Sequence, residues 1–281
     1  MGIIDGKMVA SQIKENITTE VQSLKKKTGK TPGLAVVLVG DDPASAVYVR
    51  NKNKTCNNIG FQSFENILPA NTSESELLNL IHELNNDEKV NGILVQLPLP
   101  NHIASKKILE AINPQKDVDG FHLENVGRLV TGHSLFKPCT PAGIIKLLDK
   151  YDVEIEGKNA VIIGRSNIVG KPVAFLLLER NATVTICHSR TKNLSNLARS
   201  ADILIAAIGK PNFVTADMVK DNSVVIDVGI NRLAGKLVGD VDFPAVLKKA
   251  SLITPVPGGV GPMTIAMLME NTFQAFKNSL K

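Results

Sequence analysis

The chain has 281 residues, 43% of them apolar and 4% aromatic, with no Trp and a formal net charge of +5. A core of Ile, Val, Leu and Ala suits parallel sheets covered by helices and argues against a β-sandwich. No apolar run reaches membrane-spanning length, the start MGIIDGKMVA lacks a signal-peptide layout, and Cys56, Cys139 and Cys187 form no zinc or disulfide pattern.

The expectation is a cytoplasmic protein with neither metal nor membrane partner. Its only basic run, Lys25-Lys26-Lys27, reads as a solvated face rather than a nucleic-acid site, while the overall charge favours small anionic ligands. Residues 7–27 carry apolar positions at helical spacing until Gly29 stops them. GLAVVLV (33–39) predicts a buried parallel strand. Asp42-Pro43 then supplies an N-cap and first-turn proline for a helix to about Ile59, ended by Gly60. Residues 61–68 alternate like a strand, 73–84 are helical, 92–97 form a strand and 103–112 a helix.

Residues 113–140 are less regular and hold Lys116-Asp117-Val118-Asp119-Gly120; such a loop is either a ligand carrier or a plain crossover. Thr140-Pro141 repeats the N-cap device, opens a helix to about Tyr151 and marks a domain boundary. Four short apolar strands follow at 159–164, 182–187, 202–207 and 223–229, with helices near 170–180, 194–200 and 215–220. That is an α/β, doubly wound, Rossmann-like parallel sheet. TPVPGGVGP (254–262) excludes regular structure, and 263–280 is an amphipathic helix. Two domains result: residues 1–139, joined by the helix of about 263–281, and residues 140–262.

After the strand 159–163 comes Gly164-Arg165-Ser166-Asn167-Ile168-Val169-Gly170. Gly164 permits a tight turn, Gly170 a close approach, and the start of the next helix suits a pyrophosphate, although Ser166 stands where G-x-G-x-x-G has its middle glycine. The following strand ends Cys187-His188-Ser189-Arg190-Thr191-Lys192, with no acid for a ribose 2′-hydroxyl. Ser189, Arg190 and Arg165 would instead pair with a 2′-phosphate, so NADP is expected over NAD. A basic surface loop is the alternative. His188 is a candidate for cofactor contact; Asp227 either caps a turn, the favoured reading, or approaches the cofactor.

Tyr48 and Lys52 lie four apart on one helix face, where a ring and an amine could stack a heterocycle and move a proton, or form an ordinary surface pair. Gln96 ends a strand at the carboxyl edge, where open α/β sheets bind ligands.

Tyr48-Val49-Arg50-Asn51-Lys52, Gln96-Leu97-Pro98-Leu99-Pro100, Lys116-Asp117-Val118-Asp119-Gly120-Phe121, Pro138-Cys139-Thr140-Pro141, Gly164-Arg165-Ser166 and Pro257-Gly258-Gly259-Val260-Gly261-Pro262-Met263-Thr264 occur in this order. In them the chain resembles the bifunctional methylenetetrahydrofolate dehydrogenase/methenyltetrahydrofolate cyclohydrolase family, over nearly its whole length. The resemblance implies NADP-dependent oxidation of 5,10-methylenetetrahydrofolate, hydrolysis of the methenyl product to 10-formyltetrahydrofolate, two α/β domains flanking a cleft, and a homodimer. It implies Tyr48 as the substrate-stacking tyrosine, Lys52 as the catalytic lysine, Gln96 as its partner and Asp119 as the pterin-binding aspartate. Leu97, Pro98, Gly259 and Pro262 fall on the substrate side. Gly164, Arg165, Ser166, Ile168, Gly170, Ser189, Arg190, Ile230 and Thr264 fall on the cofactor side.

Two rivals compete: a dehydrogenase of another small cyclic substrate on a similar frame, and a non-catalytic NADP sensor. The first would call for Arg or Lys partners to a carboxylate substrate, and the second leaves Lys52 and Asp119 unexplained.

Overall fold

The computed structural model describes residues 2–280. In chain order the elements are β1 (Gly2–Ile3), α1 (Gly6–Thr28), β2 (Gly33–Val39), α2 (Pro43–Asn58), β3 (Gln62–Leu68), α3 (Glu74–Asn86), β4 (Gly92–Val95), α4 (Ser105–Ala111), α5 (Leu123–Val130) and α6 (Cys139–Lys150). There follow β5 (Asn159–Ile163), α7 (Gly170–Glu179), β6 (Thr183–Cys187), α8 (Leu194–Arg199), β7 (Ile203–Ala206), β8 (Val224–Asp227), β9 (Asn231–Leu233), β10 (Lys236–Val238), α9 (Phe243–Val246), β11 (Leu252–Ile253) and α10 (Val260–Ser279). They form two compact units, Met1–Ser11 with Pro138–Met267, and Gln12–Lys137 with Leu268–Lys281.

The unit of residues 12–137 and 268–281 holds a parallel sheet in the order β3-β2-β4. β2 is buried at every position, the mark of a parallel strand covered on both faces. Ala35, Val37 and Val39 join Ile93 and Val95 in one cluster with Leu77, Ile81 and Leu84 of α3 and Ile108 of α4. Leu34, Val36 and Leu38 point the other way and are buried too. The cap predicted for α2 forms: the Asp42 carboxylate accepts the Ser45 N–H and Pro43 sits in the first turn. Ser73 and Glu76 cap α3 reciprocally.

The other unit holds a six-stranded sheet, all parallel, in the order β6-β5-β7-β8-β11-β1. From β5 the chain moves outward to β6, then crosses back to β7 on the far side of β5. Such a reversal leaves a crevice at the carboxyl ends of the two central strands, where doubly wound sheets bind ligands. Val161, Ile163, Leu204, Ala206 and Val225 pack with Ala198 of α8 and Val246 of α9. Ala160, Ile162, Ile203, Ile205 and Ile226, on the alternate positions, are buried as well.

Several local expectations change. The helix expected at 215–220 is one 3₁₀ turn, Ala216–Met218, because the chain turns back at Asn222 (φ 63°) to enter β8. The stretch 113–140 contains α5, capped by His122, whose Nδ1 accepts the Glu124 N–H at 3.0 Å; histidine lies outside the usual capping set. α6 has Pro138, not Thr140, at its N-cap. The Thr140 hydroxyl instead bonds that of Thr264 at 2.8 Å. α10 starts at Val260 and takes Pro262 into its first turn, where a missing N–H costs nothing. Residues 231–238 form an unexpected hairpin, β9–β10, turned by Ala234 and Gly235 at φ 48° and 78°.

Candidate active site

In the three-stranded unit, α2 follows β2 and Gln96 directly follows β4. The Gln96 N–H donates to the Val37 carbonyl at 2.8 Å, extending the ladder and fixing where its side chain leaves the sheet. Lys52 Nζ donates to Gln96 Oε1 at 3.0 Å, and Gln96 Nε2 donates to the Leu97 carbonyl at 2.7 Å. An ammonium group can only donate, so this pairing sets the amide's orientation. Lys52 is 9% exposed, whereas Tyr48, one turn earlier, is 39% exposed. The amine is sunk and the ring is open. Cys56, one turn further on, is fully buried, and burial pushes its thiol up to about 12. It therefore stays neutral and offers Lys52 no thiolate.

Asp119 is half-buried in a loop fixed by its neighbours. Asp117 is buried and accepts the N–H groups of Phe121 at 3.2 Å and His122 at 2.8 Å and the Asn125 amide at 2.8 Å. Burial raises its carboxyl above the usual range. Val118 turns inward, close to the space a side chain at Gly92 would need. From α10, Asn271 Nδ2 donates to the carbonyls of Val118 at 2.8 Å and Lys137 at 2.9 Å. Sequence reasoning missed Asp117, Asn125 and Asn271 as supports. The one available signal was an Asp two residues before the candidate and followed within five by loop N–H groups.

In the six-stranded unit, Gly164 leaves β5 at φ 137°, and a Cβ there would stand 2.1 Å from the Ala207 carbonyl at the end of β7. The dinucleotide-like turn therefore lies at the reversal point of the sheet. A Cβ at Gly170 would meet the Gly164 carbonyl at 2.2 Å, so the turn closes only with both glycines. Ser166 Oγ accepts the N–H groups of Val169 at 3.1 Å and Gly170 at 3.3 Å, and its carbonyl accepts that of Lys171 at 3.0 Å. That is why serine replaces the middle glycine. Ser166 thus holds these helix-start N–H groups, and the run Arg165–Ile168 beside them is exposed.

Ile163 and Cys187 are register partners, so Arg165 and Ser189 each lie two residues beyond a paired position. His188 braces this second turn. Its N–H donates to Thr191 Oγ1 at 2.8 Å, and its Nδ1 accepts the Arg190 N–H at 3.1 Å. Ser189 and Arg190 are exposed. Two arginines and a hydroxyl at one sheet edge, above glycines that allow close approach, fit an anionic dinucleotide with a further phosphate. The Ile230 side chain lies 3.7 Å from the Cβ position of Gly261, which brings it to the head of α10 where Gly259, Pro262 and Thr264 stand. Those four belong to this unit, and Tyr48, Lys52, Gln96 and Asp119 to the other. Among the described residues no His, Cys, Asp or Glu cluster suits a metal, and no helix is long and apolar enough to cross a membrane.

Asp227 caps a turn, as its sequence position suggested. Its carboxylate accepts the N–H groups of Gly229, Asp240 and Val241 at 2.9–3.0 Å. Burial, aided by the nearby Asp240 charge, pushes its carboxyl up to about 6. Between about pH 4 and 6 the folded chain then holds a proton here that the unfolded chain has released, so this group's contribution to stability falls as pH rises through that window. Above pH 6 it is level. The expected loss is at most about 3 kcal/mol. Urea unfolding at pH 4.5 and 6.5 checks it: the stability difference between wild type and Asp227→Asn should narrow at the higher pH.

A model of the tetrahydrofolate dehydrogenase/cyclohydrolase catalytic domain matches residues 4–119, and one of the NAD(P)-binding domain of the same family matches residues 138–280. The chain is similar to the bifunctional protein FolD of Campylobacter hominis, at 60% identity over 282 residues covering 100% of this chain and 99% of that one. It is similar in structure to the bifunctional enzyme FolD, methylenetetrahydrofolate dehydrogenase/cyclohydrolase, of Campylobacter jejuni, with a TM-score of 0.97, 55% identity and 99% of each chain covered. It is also similar to the methylenetetrahydrofolate dehydrogenase-cyclohydrolase of Trypanosoma brucei, complexed with NADP cofactor and inhibitor, with a TM-score of 0.96, 40% identity, and 99% of this chain and 98% of that one covered. The six ordered motifs and the full-length matches agree: the chain belongs to the tetrahydrofolate dehydrogenase/cyclohydrolase family.

Proposed function

We propose that this protein oxidises 5,10-methylenetetrahydrofolate with NADP+ and hydrolyses the methenyl product to 10-formyltetrahydrofolate. The observation that carries this reading is the buried Lys52 amine held by neutral Gln96 one turn from the open Tyr48 ring. The folate is assigned to the unit holding Tyr48, Lys52, Gln96 and Asp119, the dinucleotide to the unit holding Gly164, Gly170 and Arg165. Tyr48 stacks on the folate ring system, and Asp119 accepts its ring N–H groups. Leu97 and Pro98 shape the substrate side of the unit that holds Lys52. Arg165, Ser189 and Arg190 take the 2′-phosphate, and Ser166, Ile168, Ile230 and Thr264 complete the cofactor side.

NADP+, when bound, accepts a hydride from the one-carbon bridge. Loss of that hydride leaves a cation shared by two nitrogens, so the residues' task in this step is alignment. Hydrolysis asks more of them. Water attacks the methenyl carbon, a proton leaves the water, and a proton reaches the ring nitrogen whose C–N bond opens. Lys52 moves these protons, and Gln96 orients it without adding a charge that would hold it protonated.

A cytoplasmic homodimer serving purine synthesis completes the proposal and rests on family membership. A spectrophotometric assay with methylenetetrahydrofolate and NADP+ tests the reaction: methenyl absorbance rises and then decays. Absence of both phases overturns the proposal, and a methenyl signal that never decays removes its second half.

A further inference from the structure

We infer that Asp240 is a positioning residue for the dinucleotide, its carboxylate setting the two loops that leave the carboxyl ends of β7 and β8. The inference rests on the cofactor assignment made above. Asp240 is fully buried. Its Oδ2 accepts the N–H groups of Ile208 at 2.6 Å and Gly209 at 2.9 Å, and its Oδ1 accepts that of Lys210 at 2.9 Å and the Asn231 side-chain amide at 2.9 Å. All four donors are neutral. Three successive N–H groups converging on one point form a nest that draws in an anion, here the protein's own carboxylate.

The loops so held flank the reversal point of the sheet. Ile208 follows Ala207, whose carbonyl limits the space at Gly164, and Asn231 follows Ile230. Asp240 is itself held from β8, because Asp227 accepts its N–H at 2.9 Å. Its carbonyl accepts the Val214 N–H at 2.8 Å, and the Gly239 carbonyl accepts that of Asn212 at 3.1 Å, which anchors the far end of the β7 loop. Two glycines leave room for the device. A Cβ at Gly229 would stand 2.2 Å from Asp240 Oδ1, and one at Gly239 1.8 Å from Asp227 Oδ2. A shift of the Asp240 carboxylate therefore moves the floor under the Gly164 turn together with the segment bearing Ile230.

Asp240→Asn keeps the shape but leaves one acceptor oxygen, and turns an NH2 toward N–H donors. The test uses the full chain without folate and reads NADPH binding by its fluorescence, with amide exchange of the cofactor-free protein measured alongside. The dissociation constant should rise about tenfold, as for loss of one bond to a charged group. Exchange at residues 208–210 should quicken, and the KM for methylenetetrahydrofolate should not change. Asn231→Ala, which removes one donor only, should raise the dissociation constant by a smaller factor. Unchanged NADPH affinity in Asn231→Ala and in folded Asp240→Asn overturns the inference, as does a rise in the folate KM equal to the rise for NADPH. Should Asp240→Asn fail to fold, Asn231→Ala decides alone. Failure of the wild-type chain to bind NADPH would instead overturn the cofactor assignment itself.

Discussion

Lys52→Met lowers hydrolysis of 5,10-methenyltetrahydrofolate by about 10²- to 10⁴-fold, the range general acid–base catalysis commonly supplies. Oxidation of methylenetetrahydrofolate falls much less. Methionine keeps the length and apolar stem of the buried lysine and removes only the amine, so the helix carrying Tyr48 is retained. What disappears is the donor to Gln96 Oε1 at 3.0 Å and the group that exchanges protons with water and ring nitrogen. Hydride transfer needs neither, because its product cation is already delocalised. Lys52 then affects oxidation only through placement of the ring. Decay of methenyl absorbance after a single turnover measures the first reaction, and its initial rise measures the second. Hydrolysis at the wild-type rate would show that the proton carrier lies elsewhere. A parallel fall of both reactions would make Lys52 a binding residue instead.

The inner strands of the parallel sheets were legible because they are buried on both faces and read as near-unbroken apolar runs, from GLAVVLV to SVVIDVG, whereas the edge strands β3 and β6 are partly exposed. The caps at Asp42 and Gly29 were legible because they act within four residues. The pair β1–β11 was not, since strands of two residues carry no period and their partners lie some 250 positions apart along the chain. The site divides in the same way. Tyr48, Lys52, Gln96 and Asp119 were singled out as candidates through short ordered motifs, and the Lys52–Gln96 bond spans 44 positions without any local signature. The residues that hold the loops rigid, Asp117, Asn271 and Asp240, were invisible as such. Nothing in a Lys-Asp-Val-Asp-Gly run says which aspartate turns inward, and nothing near Asn271 announces bonds to Val118 and Lys137. Ser166 looked like a flaw in a glycine pattern until its hydroxyl was seen to occupy the N–H groups of Val169 and Gly170.

Arg165→Ala lowers the preference for NADP+ over NAD+, taken as a ratio of kcat/KM values, by roughly 10- to 100-fold, the worth of one charge-assisted bond to a phosphate. The loss falls on NADP+ alone, because NAD+ has no 2′-phosphate to miss the guanidinium. Arg190→Ala acts in the same direction. Arg165 and Ser189 each lie two residues past the register pair Ile163–Cys187, so the two turns present their side chains along one sheet edge. The double variant should therefore lose less than the product of the single losses, since both arginines address one dianion. Both side chains are exposed, which makes their attraction sensitive to ionic strength. The preference for NADP+ should shrink as salt is raised in the wild type, and hardly change with salt in the double variant. Equal losses for NADP+ and NAD+ would place Arg165 at the pyrophosphate. No loss for either would return residues 188–192 to a basic surface loop and leave the 2′-phosphate to be read by another part of the crevice.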